Sequence, residues 1–160
     1  MANQPHETIY YKRARFTTRL PVDRLYSQSH YWLVEEQPGV FRIGLTKFAT
    51  RMLGDFVELQ FAVSKGDAID IGQAIGTIEG FKAVSEIYSV AAGEFAGGNH
   101  DLDRDPTLLE REPYESGWLY RVTGARADAT VDVHGYIGFL DATIDRMLAD
   151  QSQGSKEKTC

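Results

Sequence analysis

The stretch TIEGFKAVSEIY, at residues 77–88, places the strongest constraint on how this chain folds. Two strand-like runs, AIDIGQAIGTIE and AVSEIYSV, converge on a corner formed by Gly80, Phe81 and Lys82. Short apolar runs that meet at a glycine-containing turn are typical of a β-hairpin. The sequence therefore predicts a rigid hairpin with Lys82 at its tip, where the small neighbours Gly80 and Ala83 leave the lysine open to a modifying enzyme.

Lys82 is also isolated from other basic residues. The nearest ones are Lys65 before it and Arg104 after it. An exposed lysine at a turn ordinarily serves only solubility. Turn glycines stand at similar distances on either side, at Gly72 and Gly93, so that this lysine occupies the end of a symmetric projection. The position favours an attachment point over a simple surface charge.

The rest of the chain predicts a mainly β fold with peripheral helices. YWLVEE and VFRIGLT flank a Pro-Gly turn, and DFVELQFAV and GWLYRVTG indicate further strands. TKFATRMLG predicts a short helix between an N-cap at Thr46 and a C-cap at Gly54. DPTLLEREPY predicts a second short helix, and the apolar spacing after residue 138 predicts an amphipathic helix to residue 150.

These patterns divide the chain into three parts. Residues 1–28 are polar and mixed, which predicts an N-terminal arm. Residues 29–150 form one domain that includes the last helix. Residues 151–160, QSQGSKEKTC, have the composition of a disordered tail.

Composition excludes several classes of function. The chain has 160 residues, a net charge of −6 and a pI near 5.2, whereas nucleic-acid binding requires clustered Lys and Arg. The short basic stretch at residues 12–15 is expected to be a solvated or partner-facing surface. The lone cysteine, Cys160, supports neither a disulfide framework nor a cysteine metal site. Without a signal peptide or a membrane-spanning run, we expect a cytoplasmic protein that binds no membrane.

We find no pattern for a metal centre or an active site. The four histidines are scattered and form no ligand pair. Asp101, Asp103, Asp105 and Glu112 have the spacing of a calcium loop, but Pro106 occupies the position where that loop needs glycine. No nucleophile, base and oxyanion hole can be assembled. We therefore expect a protein that performs no chemistry with its own side chains.

The hairpin resembles the lysine-bearing segment of the glycine cleavage system H protein family. The family pattern is close to G-x-x-E-S-V-K-A-A-S-D-x-Y-S, and residues 76–89 are GTIEGFKAVSEIYS. Biotin carriers differ, because they place methionines on both sides of the lysine. The hairpin is therefore similar to a lipoyl-bearing one.

Other segments match the same family in the same order. His30 and Trp32 match its H-x-W, and residues 44–55 match G-x-T-x-x-A-x-x-x-L-G-D. Residues 99–118 match N-x-x-L-x-x-x-P-x-L followed by P-Y-x-x-G-W, and residues 140–143 are similar to the LDAT of its last helix. Several independent motifs in order make the resemblance specific.

The resemblance implies the barrel-sandwich hybrid fold, or hammerhead, of lipoyl carriers, with a C-terminal helix. It implies lipoic acid joined to Lys82 by an amide, and Glu79 as a residue that a lipoate ligase or lipoyl transferase recognises. Gly80, Phe81 and Ala83 would lie beside the attachment site. The protein would be a non-catalytic carrier, because the chemistry belongs to the cofactor.

The sequence also departs from the family pattern. Gly80 and Phe81 replace its Ser-Val, and Tyr31 replaces the glutamate of its H-E-W. The N-terminal segment is longer, and ADATVDVHGYIG is inserted before the last helix. These departures concern surfaces that partner enzymes would touch, so they bear on the pathway.

Three interpretations of the pathway stay open. The departures favour an H-protein-like lipoate-binding protein of bacterial sulfur oxidation, which would carry sulfur for a heterodisulfide-reductase-like complex. The alternative is a carrier of the aminomethyl group among the glycine cleavage enzymes: the pyridoxal-phosphate decarboxylase, the aminomethyltransferase and dihydrolipoamide dehydrogenase. The third, from a different class, is an unmodified binding or regulatory module.

Overall fold

The computed structural model describes residues 7–127 and 129–158, which form three β-sheets and four helices. The strands are β1 (Thr8–Arg13), β2 (Phe16–Pro21), β3 (Leu25–Tyr26), β4 (Tyr31–Gln37), β5 (Val40–Leu45), β6 (Phe56–Phe61), β7 (Ala68–Ile69), β8 (Ala74–Gly80), β9 (Val84–Tyr88), β10 (Ala92–Gly98) and β11 (Tyr120–Arg126). The helices are α1 (Lys47–Leu53), α2 (Asp101–Arg104), α3 (Leu108–Arg111) and α4 (Val133–Lys158).

Two antiparallel sheets enclose the larger core. One has six strands in the order β3-β4-β5-β11-β10-β7, and the other has three in the order β6-β8-β9. Alternate apolar residues of both sheets point inward, as the two-residue period of a strand requires. Fully buried Leu33 and Ile43 come from the first sheet, and Ile75 and Ile87 come from the second. This arrangement confirms the expected mainly β fold with peripheral helices.

A second core lies between the β1–β2 hairpin, α1 and α4. Its centre is aromatic: Tyr26, Trp32 and Tyr136 are fully buried, and the rings of Tyr26 and Tyr136 stack with centroids 4.8 Å apart. Stacked aromatic pairs add stability beyond their buried area. The second core therefore fixes α4 against the edge of the six-stranded sheet.

The N-terminal segment is more ordered than the sequence predicts. β1 and β2 form an antiparallel hairpin, and Tyr11 and Leu20 bury their side chains in the second core. Arg13 binds α4 through Asp141 (3.2 Å) and Asp145 (2.8 Å). The basic stretch at residues 12–15 is therefore partly engaged within the molecule. The sequence predicts an N-terminal arm over residues 1–28, and within the described part of it, from residue 7 onward, β1 and β2 pack on α4.

The last helix is longer than the sequence predicts at both ends. It begins at Val133, before the expected residue 138, and runs to Lys158. Residues 151–158 are thus helical, which corrects the expectation of a disordered tail there; residues 159 and 160, with Cys160, lie outside the described residues. A helix extends cheaply once it is nucleated, so the packed part of α4 carries a polar end with it. None of the helices in the described ranges combines the length and apolarity that crossing a membrane requires.

Helix α1 has the ends that the sequence predicts. The Thr46 side chain accepts a hydrogen bond from the Ala49 backbone N–H at the N-terminus. Gly54 ends the helix with φ +80° and donates its backbone N–H to the Thr50 carbonyl. A positive φ is readily adopted only by glycine. The chain therefore turns sharply from α1 into β6, next to the tip of the β8–β9 hairpin.

Candidate modification site

The predicted hairpin is formed by β8 and β9. The strands pair antiparallel, with Glu79 opposite Val84, and the Gly80 backbone N–H donates to the Ala83 carbonyl at 2.9 Å. This bond closes the reversal and leaves Phe81 and Lys82 at its tip. The structure thus places Lys82 where the sequence predicts it.

The backbone of the tip is held by the turn after α1. The Phe81 N–H donates to the Asp55 carbonyl at 2.9 Å, and the Lys82 N–H donates to the Leu53 carbonyl at 3.0 Å. Leu53 is itself buried in the larger core, with 4% of its surface exposed. The base of the Lys82 side chain is therefore fixed to the core. Sequence reasoning missed this role of Leu53 and Asp55, although the L-G-D motif that contains them was the available signal.

Two glycines permit this close approach. A Cβ on Gly80 would lie 2.7 Å from Leu53 Cγ and would overlap the Leu53 carbonyl oxygen. A Cβ on Gly54 would lie 2.8 Å from Lys82 Cγ and 3.0 Å from Lys82 N. Gly54 thus leaves a cradle for the stem of the lysine side chain, and Gly80 lets the tip rest on α1.

The side chains around Lys82 are open to partners. Lys82, Ala83 and Glu79 are exposed, and Phe81 and Val84 are 82% and 67% exposed despite being apolar. Together with Gly80 and Val57 they line one shallow surface of the hairpin. The structure therefore brings together all the site residues predicted from the sequence. Within the described ranges, no carboxylate forms an ion pair with the Lys82 ammonium.

A polar cleft of about 230 Å³ opens on one side of Lys82. It is lined by Lys47, Thr50, Arg51, Gly54, Asp55, Phe81, Lys82 and Glu110. Burial and a hydrogen bond with Asp55 raise the pKa of Glu110 above its ordinary value. The Lys47 ammonium donates to the Glu110 carbonyl oxygen at 2.8 Å. This side of the lysine is therefore charged.

An apolar groove of about 280 Å³ opens on the other side of Lys82. It runs between the β1–β2 turn, α1 and α4, and polar side chains line its rim together with Lys82: Arg13, Arg15, Arg51 and Gln151. Its apolar residues are Ala14, Phe16, Phe48, Met52, Ile144, Met147 and Leu148. Phe16 and Phe48 meet edge to face, with centroids 5.5 Å apart. Lys82 thus stands at the boundary between a charged and an apolar depression.

A buried hydrogen-bond network connects α4 to the start of α1. The Tyr136 hydroxyl lies 2.8 Å from His30 Nδ1 and 2.7 Å from Thr46 Oγ1, the N-cap of α1. Burial lowers the pKa of His30 to about 4, so that the ring stays neutral at ordinary pH. The network fixes the helix whose other end holds Lys82.

Tyr31, which replaces a glutamate of the family pattern, is 5% exposed and lies in the larger core. Its hydroxyl accepts a hydrogen bond from the Tyr88 backbone N–H at 3.3 Å. Burial raises the pKa of Tyr31 to about 12, so the hydroxyl keeps its proton. Tyr31 therefore ties β4 to the base of the β8–β9 hairpin.

Among the acidic residues with calcium-loop spacing, Asp105 is bound by neighbouring side chains and backbone. Asp105 accepts hydrogen bonds from the Thr107 backbone N–H (3.1 Å) and the Arg111 side chain (2.7 Å). A hydrogen bond from the Thr107 hydroxyl is the main cause of its lowered pKa. Among the described residues, no group of three or more His, Cys, Asp or Glu side chains could hold a metal ion. Asp105 thus stabilises the turn between α2 and α3.

Comparison with known proteins identifies related sequences. Residues 24–134 match the family model described as Glycine cleavage H-protein. A glycine cleavage system H protein of Alteromonas mediterranea is 33% identical over 127 residues, which cover 78% of this chain and 98% of that protein. One from Streptomyces coelicolor is 38% identical over 102 residues, which cover 64% of this chain and 81% of that protein.

A solved structure shows the same fold. It is the crystal structure of a glycine cleavage system H protein from Mycobacterium marinum, with a TM-score of 0.68 and 30% identity. The match covers 74% of this chain and 97% of that chain. It confirms the expected barrel-sandwich fold with a C-terminal helix.

Proposed function

Because the chain belongs to the glycine cleavage H-protein family, we propose that it is the lipoyl carrier of a glycine cleavage system, with lipoate joined to Lys82. Proteins of this family are non-catalytic carriers that bear a covalent lipoate on a lysine. The observation that supports Lys82 as this lysine is its exposed position at a hairpin tip whose backbone is fixed by Leu53 and Asp55.

The residues around Lys82 fit a lipoyl group. Gly54 leaves room for the lysine stem, and a Cβ at that position would fill the space. Acylation removes the positive charge of the lysine, and no ion pair is lost by it within the described ranges. The dithiolane of a bound lipoyl group supplies thiol–disulfide exchange.

The chain itself supplies a mount and a recognition surface. The carbonyls of Leu53 and Asp55 keep the attachment point from moving with the arm. Glu79 is exposed one residue before the turn, where a lipoate ligase or lipoyl transferase can reach it. The exposed apolar side chains of Phe81 and Val84 offer contacts for partner enzymes, because the centre of a protein–protein interface is usually poor in charged residues.

The comparisons favour glycine cleavage over the sulfur-oxidation expectation. The related proteins described above carry the glycine cleavage name, and nothing in them supports a heterodisulfide-reductase-like partner. We therefore propose the glycine cleavage enzymes as partners: the decarboxylase, the aminomethyltransferase and dihydrolipoamide dehydrogenase. The sulfur interpretation depends only on the departures from the family pattern.

The attachment site is tested by intact mass after expression in a host that lipoylates proteins. We expect one lipoyl increment, which Lys82→Arg abolishes. Lys65→Arg is the matched control, because Lys65 is also an exposed lysine in a turn and should leave the increment unchanged. An increment that survives Lys82→Arg would refute Lys82 as the site.

The pathway is tested with the lipoylated protein and purified glycine cleavage enzymes. We expect it to support glycine decarboxylation, and the Lys82→Arg variant to support none. Phe81→Val should leave the lipoyl increment intact and change the turnover, because the Phe81 side chain is 82% exposed beside Lys82, where a partner enzyme would touch it. Full lipoylation without decarboxylation would refute the glycine cleavage assignment.

A further inference from the structure

The apolar groove between the β1–β2 turn, α1 and α4 has a recessed floor and open walls. On the floor, Phe48 and Ile144 are only 7% and 6% exposed. On the walls, Met52 of α1 and Leu148 of α4 remain 48% and 45% exposed. Exposed apolar side chains grouped in a concave site commonly mark a binding surface, and methionine adapts to the shape of a partner. The groove therefore suits apolar side chains that project from another molecule.

The rim of this groove is basic. Its charged residues are Arg13, Arg15, Arg51 and Lys82, and no Asp or Glu is among the described residues that line it. Arg13 is occupied by two aspartates of α4. Arg15 and Arg51 are exposed, and neither forms an ion pair within the described ranges. Two positive charges on the rim are therefore available to an anionic partner.

The basic surface continues onto the outer face of the β1–β2 hairpin. Residues 8–21 contain four basic residues and no acidic one, although the whole chain has a net charge of −6. Tyr10 pairs with Arg19, and Lys12 stands two residues from Tyr10, so that these side chains share one face. The Arg19 guanidinium lies over the Tyr10 ring at 5.5 Å, and all three residues are exposed. A positive surface attracts a partner of opposite charge and orients its approach.

Most of this surface lies outside the region that matches the family model. The hairpin precedes residues 24–134, which that model covers, and the α4 residues that line the groove follow them. Only α1 and Lys82 belong to the matched region. The groove is therefore an addition to the carrier domain, and it is placed beside the lysine.

We propose that the groove docks an acidic amphipathic segment of a partner enzyme that acts on the Lys82 side chain or its arm. Apolar side chains of the segment enter the floor, and its carboxylates pair with Arg15 and Arg51. Amphipathic helices bind grooves in this way, with apolar residues at i, i+3, i+4 and i+7. The inference rests on the proposed function, because it takes the partner to be a glycine cleavage enzyme or the enzyme that attaches lipoate.

The position of the groove gives this contact a consequence for the lysine. Lys82 lines both the groove and the shallow hairpin surface that contains Phe81 and Val84. A partner that binds across both surfaces contacts the chain on two sides of Lys82. The docked segment therefore orients the active site of the partner toward the attachment point.

The shape of the groove favours a protein segment over an anionic membrane. A bilayer surface would contact the projecting side chains of Met52 and Leu148, and it would leave the recessed floor of Phe48 and Ile144 uncovered. Apolar side chains that project from a helix can enter the groove and reach that floor. The combination of a basic rim and a recessed apolar floor thus selects an acidic protein segment.

The docking site is tested by the KM of the full-length carrier with each purified partner. The lipoylated carrier is assayed with the three glycine cleavage enzymes, and the unmodified carrier with the enzyme that attaches lipoate. We expect the double variant Arg15→Gln, Arg51→Gln to raise the KM about fivefold with at least one of them and to leave kcat unchanged. The rise should shrink as the salt concentration increases. Lys65→Gln, Arg104→Gln is the matched control, because it also removes two exposed positive charges but lies outside the groove.

The apolar part of the contact is tested separately. Leu148→Gln should raise the same KM about fivefold at low and at high salt, because it removes an apolar contact. Leu25→Gln is the control, since Leu25 is 38% exposed and does not line the groove. p-Benzoylphenylalanine incorporated at Leu148 should form a photo-crosslink to the same partner, within a peptide that combines Asp or Glu with apolar residues at helical spacing. The same group at Leu25 should form none.

An unchanged KM of the Arg15, Arg51 double variant with every partner would overturn the docking site and leave the proposed function standing. A crosslinked peptide without acidic residues would also overturn it. A crosslink from Leu148 to a second copy of the chain would overturn it in favour of self-association, and binding to phosphatidylglycerol vesicles that Leu148→Gln abolishes would overturn it in favour of a membrane. A wild-type carrier that gains no lipoyl increment would overturn the inference together with the proposed function.

Discussion

Replacing Gly80 with alanine tests how the hairpin tip is held against α1. The new Cβ would overlap the Leu53 carbonyl oxygen and lie 2.7 Å from Leu53 Cγ, and Leu53 is buried and cannot retreat. The tip must therefore move outward. That movement stretches the bonds from Phe81 N–H to Asp55 and from Lys82 N–H to Leu53.

The cost follows from these contacts. Forcing a methyl group into a packed site costs about 1–3 kcal/mol, and each lost hydrogen bond costs about 0.5–1.5 kcal/mol. Because water partly replaces the bonds of an exposed tip, we expect Gly80→Ala to lower the free energy of unfolding by about 2–4 kcal/mol. For a chain of this length the melting temperature should fall by about 4–16 °C.

Thermal unfolding followed by circular dichroism measures this loss, and hydrogen exchange of the Lys82 amide locates it. The exchange should accelerate in Gly80→Ala. Gly138→Ala is the control, since its added Cβ meets no atom of a neighbouring element within 4 Å. Because alanine favours a helix more than glycine does, this variant should raise the free energy of unfolding by up to about 1 kcal/mol. If Gly80→Ala lowered the free energy of unfolding by less than about 1 kcal/mol and left the exchange rate of the Lys82 amide unchanged, the proposed anchoring of the hairpin tip on α1 would be refuted.

Three further outcomes are expected. Gly54→Ala should destabilise the protein more than Gly72→Ala in thermal unfolding. The two glycines have similar positive φ angles, +80° and +85°, but only a Cβ on Gly54 would clash with Lys82. Tyr136→Phe should cost about 1–3 kcal/mol in denaturant unfolding, because it leaves buried polar partners unpaired. Burial lowers the pKa of His30 to about 4 in the folded protein, against 6.5 for an ordinary histidine. As the pH falls below 6.5, His30 therefore binds a proton in the unfolded chain before it does so in the folded one. Stability should thus fall by about 2–3 kcal/mol between pH 7 and 4. His30 has a φ of +72°, which asparagine tolerates, so His30→Asn should weaken this pH dependence.

Local signals explain which parts of the fold could be predicted. Thr46 and Gly54 define α1 because a cap requires only residues within one turn. The hairpin around Lys82 was equally predictable, because both strands and their turn lie within one short stretch. Each of these elements carries its information in its own residues.

The N-terminal hairpin could not be predicted in the same way. Tyr11 binds Asp141 across 130 positions of sequence, and no local pattern encodes such a contact. The anchoring of Lys82 is a similar case, because it uses the carbonyls of Leu53 and Asp55. Backbone atoms are common to all residues, so that their role appears only when the structure brings them to the hairpin.

The departures from the family pattern can now be separated by their surroundings. Gly80 allows the tip to rest on Leu53, and Tyr31 is buried with its hydroxyl on the Tyr88 backbone. Both have packing explanations and need no change of pathway. Phe81 differs, because its side chain is 82% exposed and packs on nothing that would require an aromatic ring. If any departure adapts this carrier to particular partners, the physical argument therefore assigns that role to Phe81, beside the lysine that every partner must approach.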